Sequence, residues 1–200
     1  MITVNANLFR IVAMCQSTDP TRFYLAGVYL EPGPGGLGVV MTASNGHVLT
    51  TAYDEQGDMD GASPVIIGLP KPTLSACKAT SRGESSLAID VTSSSATITL
   101  NGTETARAGN VVVVDGTFPD WRRVIPTVKS GELRTTHFTA PDMKVITATA
   151  AALSSPVTIN SDGDEAALVC YSAAPHVISV AMPVRSNRTG DHKATRPYWM

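Results

Sequence analysis

The sequence has little charge and few cysteines. Only 16% of its 200 residues are charged, and the formal net charge is −2. This excludes a strongly basic surface overall, so contact with nucleic acid requires local clusters of Lys and Arg. The three cysteines are far apart and form no CxxC pair, which excludes a disulfide framework and a zinc site of that pattern. We therefore expect a reduced, cytoplasmic protein.

Long hydrophobic runs are also missing. No apolar stretch approaches the ~20 residues that a membrane span requires, and the opening MITVNANLFR lacks the basic and apolar regions of a signal peptide. We expect no membrane partner. The hydrophobic fraction of 43% is enough for an ordinary core. The length fits one large domain, or one domain and a fragment, since domains usually have about 100–150 residues.

No set of residues has the pattern of a catalytic or metal site. His47 follows Asn-Gly in a turn, and no nucleophile can be placed beside it. We interpret it as a structural or ligand-orienting residue, not a general base. The segment 162–165 is too short for a calcium loop, and no helical metal spacing relates His137, His176 and His192. The sequence therefore predicts no enzyme activity, no metal and no other cofactor.

Helix and strand patterns alternate along the chain in three rounds of about 60 residues. Helices are predicted over residues 5–17, 71–82 and 141–152. The third has a strong start signal, because Thr139 precedes Ala-Pro-Asp142. Strands are predicted over residues 23–30, 37–42, 48–53, 65–69, 87–91, 96–100, 104–108, 110–114, 134–138, 156–160, 166–171 and 177–183. The alternation predicts an α+β fold with three repeated strand-helix-strand-meander units.

Four stretches together resemble a known family. They are TRFYLAGVYLE (residues 21–31), TASNGHVLT (42–50), GTFPDWRRVIP (116–126) and VAMPVR (180–185). In this order they are similar to four characteristic stretches of the bacterial DNA polymerase III beta subunit, the sliding clamp. Three positions depart from the family pattern: Asn45 replaces an acidic residue, Val48 replaces an Arg, and Trp121 is the aromatic residue before Arg-Arg.

The resemblance implies the DNA-clamp fold in a shortened version. A bacterial clamp chain has three consecutive domains of two units each, and this chain matches the middle domain and the latter half of the last one. The resemblance thus implies a complete clamp-type domain over residues 1–127 and a half domain over residues 128–185. Residues 186–200 have no periodicity and carry Arg188, Lys193 and Arg196, so we interpret them as a flexible basic tail.

The resemblance also implies an apolar cleft that captures short peptides from DNA polymerase and the clamp loader. Carried over residue by residue, the cleft comprises Leu25, Gly46, His47, Leu49, Pro119, Arg123, Val124, Val180, Met182, Pro183 and Val184. A preformed groove with aliphatic walls and a few polar groups suits such a peptide. The alternative is that several of these apolar residues are ordinary strand-core positions.

Double-stranded DNA is the second implied partner. In a sliding clamp the inner helices face the phosphates and make contacts that are independent of base sequence. The basic residues on or beside the three predicted helices are Arg10, Lys71, Lys78, Arg82 and Lys144. The alternative is that these residues are solvated helix surface.

The implied function is that of a non-catalytic processivity factor in DNA replication. Since the resemblance implies a closed ring of twelve units, a chain with three units needs four copies to close it. Isologous pairing of the half domain gives a dimer, and two dimers give a tetramer. The alternative function is a non-encircling binding module that keeps the cleft and sequesters, or competes for, clamp-binding partners.

Overall fold

The structure of the protein is a computed structural model that describes residues 1–78, 85–92, 95–100, 103–106, 111–127, 136–161 and 165–184. Its α-helices are α1 (Ala6–Ala13), α2 (Lys71–Ala76) and α3 (Ala140–Leu153). Its strands are β1 (Ile2–Asn5), β2 (Val28–Pro32), β3 (Val39–Ser44), β4 (Val48–Asp54), β5 (Val65–Gly68), β6 (Ser86–Val91), β7 (Ala96–Leu100), β8 (Thr103–Ala106), β9 (Val112–Val113), β10 (Val157–Asn160), β11 (Ala167–Tyr171) and β12 (Val177–Ala181). None of the helices in these ranges is long and apolar enough to cross a membrane.

The strands form two antiparallel sheets. The larger sheet has eight strands in the order β10-β11-β12-β4-β3-β2-β5-β9, and the smaller has four in the order β1-β6-β7-β8. Helices alternate with these strands along the chain. The predicted α+β class is therefore confirmed.

The two faces of the large sheet have different partners. Successive residues of a strand point to opposite faces, and in β4 Val48 belongs to the main hydrophobic cluster whereas Leu49 belongs to a second, smaller one. All three helices pack into or against the main cluster, for example through Phe9, Leu74 and Ile146. The helices therefore cover one face, and the smaller cluster lies on the other.

The large sheet pairs an early strand of the chain with the last described one. Strand β12 pairs with β4, with Val180 opposite Leu49. A buried polar chain crosses this pairing, since Ser179 Oγ lies 2.8 Å from Thr50 Oγ1 and 2.9 Å from Tyr171 Oη. The sheet thus contains strands from both predicted segments, residues 1–127 and 128–185, whose division into a domain and a half domain stays a prediction.

Side-chain caps begin α1 and α3. Asn5 Oδ1 accepts hydrogen bonds from the backbone N–H groups of Asn7 and Leu8, at 3.0 and 3.1 Å, and begins α1. Thr139 Oγ1 accepts from the Asp142 N–H at 3.3 Å and donates to Asp142 Oδ2 at 2.6 Å. Such bonds satisfy the first N–H groups of a helix, which have no partner within it. The predicted start of the third helix is confirmed.

The ends of α1 and α2 differ from the prediction. Helix α1 ends at Ala13, and the N–H of Cys15 donates to the carbonyl of Val12 at 3.0 Å in a tighter turn. Helix α2 ends at Ala76, and residues 79–82 of the predicted helix lie outside the described residues.

The prediction of a strand over residues 23–30 is wrong in its first half. Residues Pro20–Leu25 form 3₁₀ turns, and β2 begins only at Val28. Asp19 Oδ1 accepts from the Thr21 N–H at 2.9 Å, and Pro20 has a backbone angle suited to a first helical turn. This local start signal overrides the strand pattern of the residues that follow.

The third round also begins differently. Residues 136–138 lie in no strand of the described part, and residues 134–135 of the predicted strand fall outside it. The two strands predicted over residues 104–108 and 110–114 are shorter, as Thr103–Ala106 and Val112–Val113, with residues 107–110 outside the described part.

Candidate functional site

A cleft of about 350 Å³ opens on the face of the large sheet opposite the helices. Its floor is the smaller hydrophobic cluster, in which Leu25, Leu49, Phe118, Trp121 and Val180 are buried. The residues that line it are Arg22, Tyr24, Leu25, Ser44, Gly46, His47, Val48, Leu49, Phe118, Pro119, Asp120, Trp121, Val124, Val180 and Met182. They come from four separate parts of the chain, so the fold assembles the site.

The turn between β3 and β4 forms one wall. Asn45 Oδ1 accepts from the N–H groups of His47 and Val48, at 2.9 and 2.8 Å, and Ser44 Oγ accepts from the Gly46 N–H at 3.0 Å. Asparagine and serine hold tight turns by bonds of this kind. Asn45 takes part in these bonds through its side-chain oxygen, and an acidic side chain offers the same kind of acceptor. Asn45 can therefore form the turn in place of the family's acidic residue.

The end of β12 forms the second wall. The Met182 N–H donates to the His47 carbonyl at 2.8 Å and extends the β12–β4 ladder by one residue past the strand. The Met182 side chain is 46% exposed, whereas Val180 beside it is 2% exposed. Methionine is flexible and polarisable, so this wall has a rigid base and an adaptable rim.

Residues 118–124 form the third wall, which is anchored to β2. The Phe118 ring stacks on Tyr29 with centroids 4.9 Å apart. Trp121 Nε1 donates to Glu31 Oε1 at 2.9 Å, and Arg122 Nη1 lies 2.9 Å from the same oxygen. These contacts fix a segment whose regular structure is a single 3₁₀ turn, Trp121–Val124.

Arg22 closes the cleft beside the β3–β4 turn. Its Nη1 donates to the Asn45 carbonyl at 3.2 Å, and its Nε lies 3.8 Å from Asp19 Oδ2. Gly46 has φ +89°, and a Cβ added there would collide with Arg22 Nη1. The glycine therefore allows both the left-handed turn and the close approach of the guanidinium.

The structure brings together most of the residues carried over from the family resemblance. Leu25, Gly46, His47, Leu49, Pro119, Val124, Val180 and Met182 line the cleft. Three others do not line it. The Arg123 side chain is 83% exposed and pairs with Asp120, with Nε 3.2 Å from Oδ2. Pro183 and Val184 follow Met182 and are half-buried; the Val184 N–H donates to the His137 carbonyl.

Several lining residues were not among those predicted. They are Arg22, Tyr24, Ser44, Val48, Phe118, Asp120 and Trp121. All of them lie within the family-like stretches, residues 21–31, 42–50 and 116–126. The stretches themselves were therefore the available signal, but strand alternation does not show which residues of a 3₁₀ turn face a cleft.

Four of the five predicted DNA-facing residues are described, and they lie on or beside the helices, on the other side of the sheet. Lys71, Lys78 and Lys144 are exposed. Arg10 is half-buried, and its Nε and Nη2 donate to Asn7 Oδ1 at 3.2 and 2.8 Å. Arg82 and the predicted basic tail, residues 186–200, lie outside the described residues.

The buried thiols are poorly suited to reaction. Burial raises the pKa of the Cys15 thiol to about 12 and that of the Cys77 thiol to about 11, and a thiolate is the reactive form. Cys15 Sγ donates to the Val48 carbonyl at 3.0 Å behind the cleft. In the described ranges, no group of three or more His, Cys, Asp or Glu residues is placed to hold a metal ion.

Comparisons with known proteins relate this architecture to solved structures of bacterial sliding clamps. No protein-family model and no curated protein matches the sequence. Three similar solved structures are sliding clamps. The Bartonella birtlesii clamp, bound to griselimycin, has a TM-score of 0.64 and 21% identity. The C. crescentus clamp has a TM-score of 0.64 and 19% identity, and the Bacillus subtilis clamp has a TM-score of 0.64 and 16% identity.

Each comparison covers 92% of this chain. The chain in turn spans 66%, 65% and 64% of the three clamp chains, slightly less than two thirds of their length. Identities this low relate folds and not activities. The chain has the DNA-clamp fold of the bacterial DNA polymerase III beta subunit, over about two thirds of the length of such a subunit.

Proposed function

We propose that this chain is a non-catalytic, sliding-clamp-like scaffold that captures short linear peptides in the cleft. The observation that carries this proposal is the meeting of His47, Pro119 and Met182, from three separate stretches, around one apolar floor. Its peptides come from DNA polymerase and the clamp loader, as the family resemblance implies. The chain then acts as a processivity factor in DNA replication.

The cleft has the chemistry that such a peptide needs. Its volume is at the lower end of the range for ligand sites, which is about 300–1,000 Å³, and fits a few bulky apolar side chains better than a folded surface. The floor residues Leu49 and Val180 exclude water from those side chains. Polar groups at the edge, on Arg22 and His47, supply donors that orient a peptide backbone.

The position of the basic residues supports simultaneous binding of DNA. Lys71, Lys78 and Lys144 lie with the helices on the face of the sheet opposite the cleft. Ammonium groups there contact phosphates without reading bases, which permits sliding. In this proposal several copies of the chain assemble around double-stranded DNA, and peptides bind on the outside.

A second candidate is a binding module that holds the same peptides but does not encircle DNA. It requires only the cleft, which the described residues form, and identities of 16–21% with the similar clamps relate the fold and not the ring. The two candidates differ in topology. An encircling assembly stays on nicked circular DNA and is lost when the circle is cut, whereas a module that only binds peptides shows no such retention.

The peptide cleft is tested by one substitution and a matched control. Met182→Glu places a carboxylate at the edge of the apolar floor, where Met182 is exposed enough for the fold to survive. Leu37→Glu makes the same change in charge at a turn residue that is 72% exposed and does not line the cleft.

The probes are griselimycin, which is bound in two of the similar clamps, and a short polymerase peptide that ends in two bulky apolar residues. We expect Met182→Glu to weaken binding of the peptide by about tenfold or more, equal to about 1.4 kcal/mol, and Leu37→Glu to leave it unchanged. Equal affinity in both variants would refute the cleft assignment.

A further inference from the structure

The first two rounds of the chain form an interface by exchanging strands. Strand β1, which precedes α1, pairs with β6, which follows α2. In return β5, which precedes α2, pairs with β2, which follows the first helix. In each round, the strand that precedes the helix pairs with a strand of the other round. That partner is the strand that follows the other round's helix. This reciprocal pattern is that of two units related by an approximate two-fold axis.

The start of the third round has the same local geometry as the start of the first. Asn5 caps α1, and Thr139 caps α3. Two residues before the first cap, Thr3 exchanges two backbone hydrogen bonds with Asp58, beyond the end of β4. Two residues before the second cap, the His137 carbonyl accepts from Val184, beyond the end of β12. Residues 136–139 therefore occupy the place that β1 occupies in the first round.

The strand after α3 corresponds in the same way. Strand β10 follows α3 and pairs with β11, as β2 pairs with β3. On its other side β2 receives β5, whereas β10 is the edge of the large sheet among the described strands. Two of its side chains, Val157 and Ile159, are 36% and 37% exposed. Both pairing surfaces that the first round uses are thus present in the third, and no described strand covers them.

The composition of this edge favours pairing. Strand β10 reads Val-Thr-Ile-Asn and carries no charge. Sheet edges that stay exposed are usually protected by Lys, Pro or a bulge, because bare backbone groups attract another strand. Within Val157–Asn160 the edge has none of these protections, and Pro156 stands only before its first residue.

We infer that a second copy of this chain covers this edge. Residues 136–139 of each copy pair antiparallel with β10 of the other, about a two-fold axis, and so repeat the exchange already made by β1, β6, β5 and β2. This contact gives the proposed assembly a defined surface, but it follows from the strand pattern and not from peptide or DNA binding.

The helices are compatible with this pairing. In the exchanged pair of rounds, α1 packs against α2. The same arrangement brings the two copies of α3 together through their exposed side chains, which include Thr147, Ala148 and Ala151. Small side chains allow two helix backbones to approach closely. The pairing therefore buries helix surface in addition to the sheet edge.

Mass measurement on the full chain tests the inference. At micromolar concentration, sedimentation equilibrium should give an even number of copies. Ile159→Lys adds at the edge the kind of charge that protects natural edges, and should reduce the mass of the assembly by about half, since an isologous contact joins copies in pairs. Leu37→Lys, with the same charge change on a distant exposed turn, should leave the mass unchanged. A monomeric wild type, or an unchanged mass for Ile159→Lys, would overturn the inference.

A second measurement needs no substitution. Amide hydrogen exchange of residues 136–139 and 157–160 should slow as the concentration of the wild-type chain rises, because pairing protects those N–H groups. Exchange at the turn residues 35–37 should not change. Exchange at both segments that is independent of concentration would contradict the pairing. Peptide affinity of Ile159→Lys, measured in parallel, separates this inference from the proposed function, because β10 does not line the cleft.

Discussion

Trp121 and Glu31, ninety residues apart in the chain, are joined by a 2.9 Å hydrogen bond from the indole Nε1 to the carboxylate Oε1. Arg122 shares that oxygen and also places its guanidinium carbon 4.3 Å from the centre of the Trp121 ring. The Glu31 side chain is only 14% exposed. One carboxylate on β2 therefore holds the third wall of the cleft against the sheet.

Removing this carboxylate should destabilise the protein and the cleft together. Glu31→Ala leaves the Trp121 N–H without its acceptor and Arg122 without its partner, and should lower the free energy of unfolding by about 1–3 kcal/mol. Urea denaturation measures the loss. Glu31→Gln keeps an acceptor for the indole but not the charge, so its loss should be smaller. An unfolding curve for Glu31→Ala that coincides with that of the wild type would show that the bond does not anchor the wall.

Replacing Gly46 should affect peptide binding as well as stability. Gly46→Ala strains the left-handed φ of +89° and forces Arg22 to move, whereas Gly61→Ala strains a φ of +69° with nothing within 4 Å of the new methyl group. Each should lose about 1–2 kcal/mol of stability from the strain. Only Gly46→Ala should also weaken peptide binding, as measured by fluorescence anisotropy. Equal peptide affinities for the two variants would show that the position of Arg22 does not affect peptide binding in the cleft.

The Cys15 thiol should resist alkylation while the fold is intact. Its pKa of about 12 leaves little thiolate at pH 8, and the side chain is 1% exposed. Mass spectrometry after brief iodoacetamide treatment should show Cys170, which is half-buried, modified before Cys15. Modification of Cys15 first would contradict its place behind the cleft.

The same thiol should make stability fall in alkali. Below the unfolded pKa of about 9 both states keep the proton, so Cys15 contributes no pH dependence. Between that value and the folded pKa of about 12, the unfolded chain releases the proton first. Cys15 should then contribute a fall in the free energy of unfolding of about 1.4 kcal/mol per pH unit, and Cys77 adds a fall of its own up to its folded pKa of about 11. Cys15→Ser, which does not titrate there, should have a shallower decline, and identical slopes would refute the assignment.

Local signals in the sequence predicted local structure well. The cap formed by Thr139 and Asp142 was predicted from residues three apart, and the structure contains it. The strand predicted over residues 48–53 matches Val48–Asp54 closely. Such features depend on neighbours in the chain, which a pattern of residues records directly.

Long-range pairing and competing turns were not accessible in the same way. The contact between Thr50 and Ser179 spans 129 residues, and no period in the sequence encodes it. The family resemblance, and not the strand pattern, led to the cleft residues on both sides of that contact. The strand predicted over residues 23–30 was wrong for a local reason. The cap formed by Asp19 begins a 3₁₀ turn, although the residues that follow also have a strand pattern.

The central claim, that the cleft captures peptides, is tested most directly by nuclear magnetic resonance on the ¹⁵N-labelled full chain. The ligand is the short polymerase peptide with two bulky apolar residues at its end. Saturable shifts should be confined to amides around the cleft, including Gly46, His47, Val124 and Met182. Shifts confined to α1 and α3 on the opposite face, or no saturable shift at all, would contradict the account.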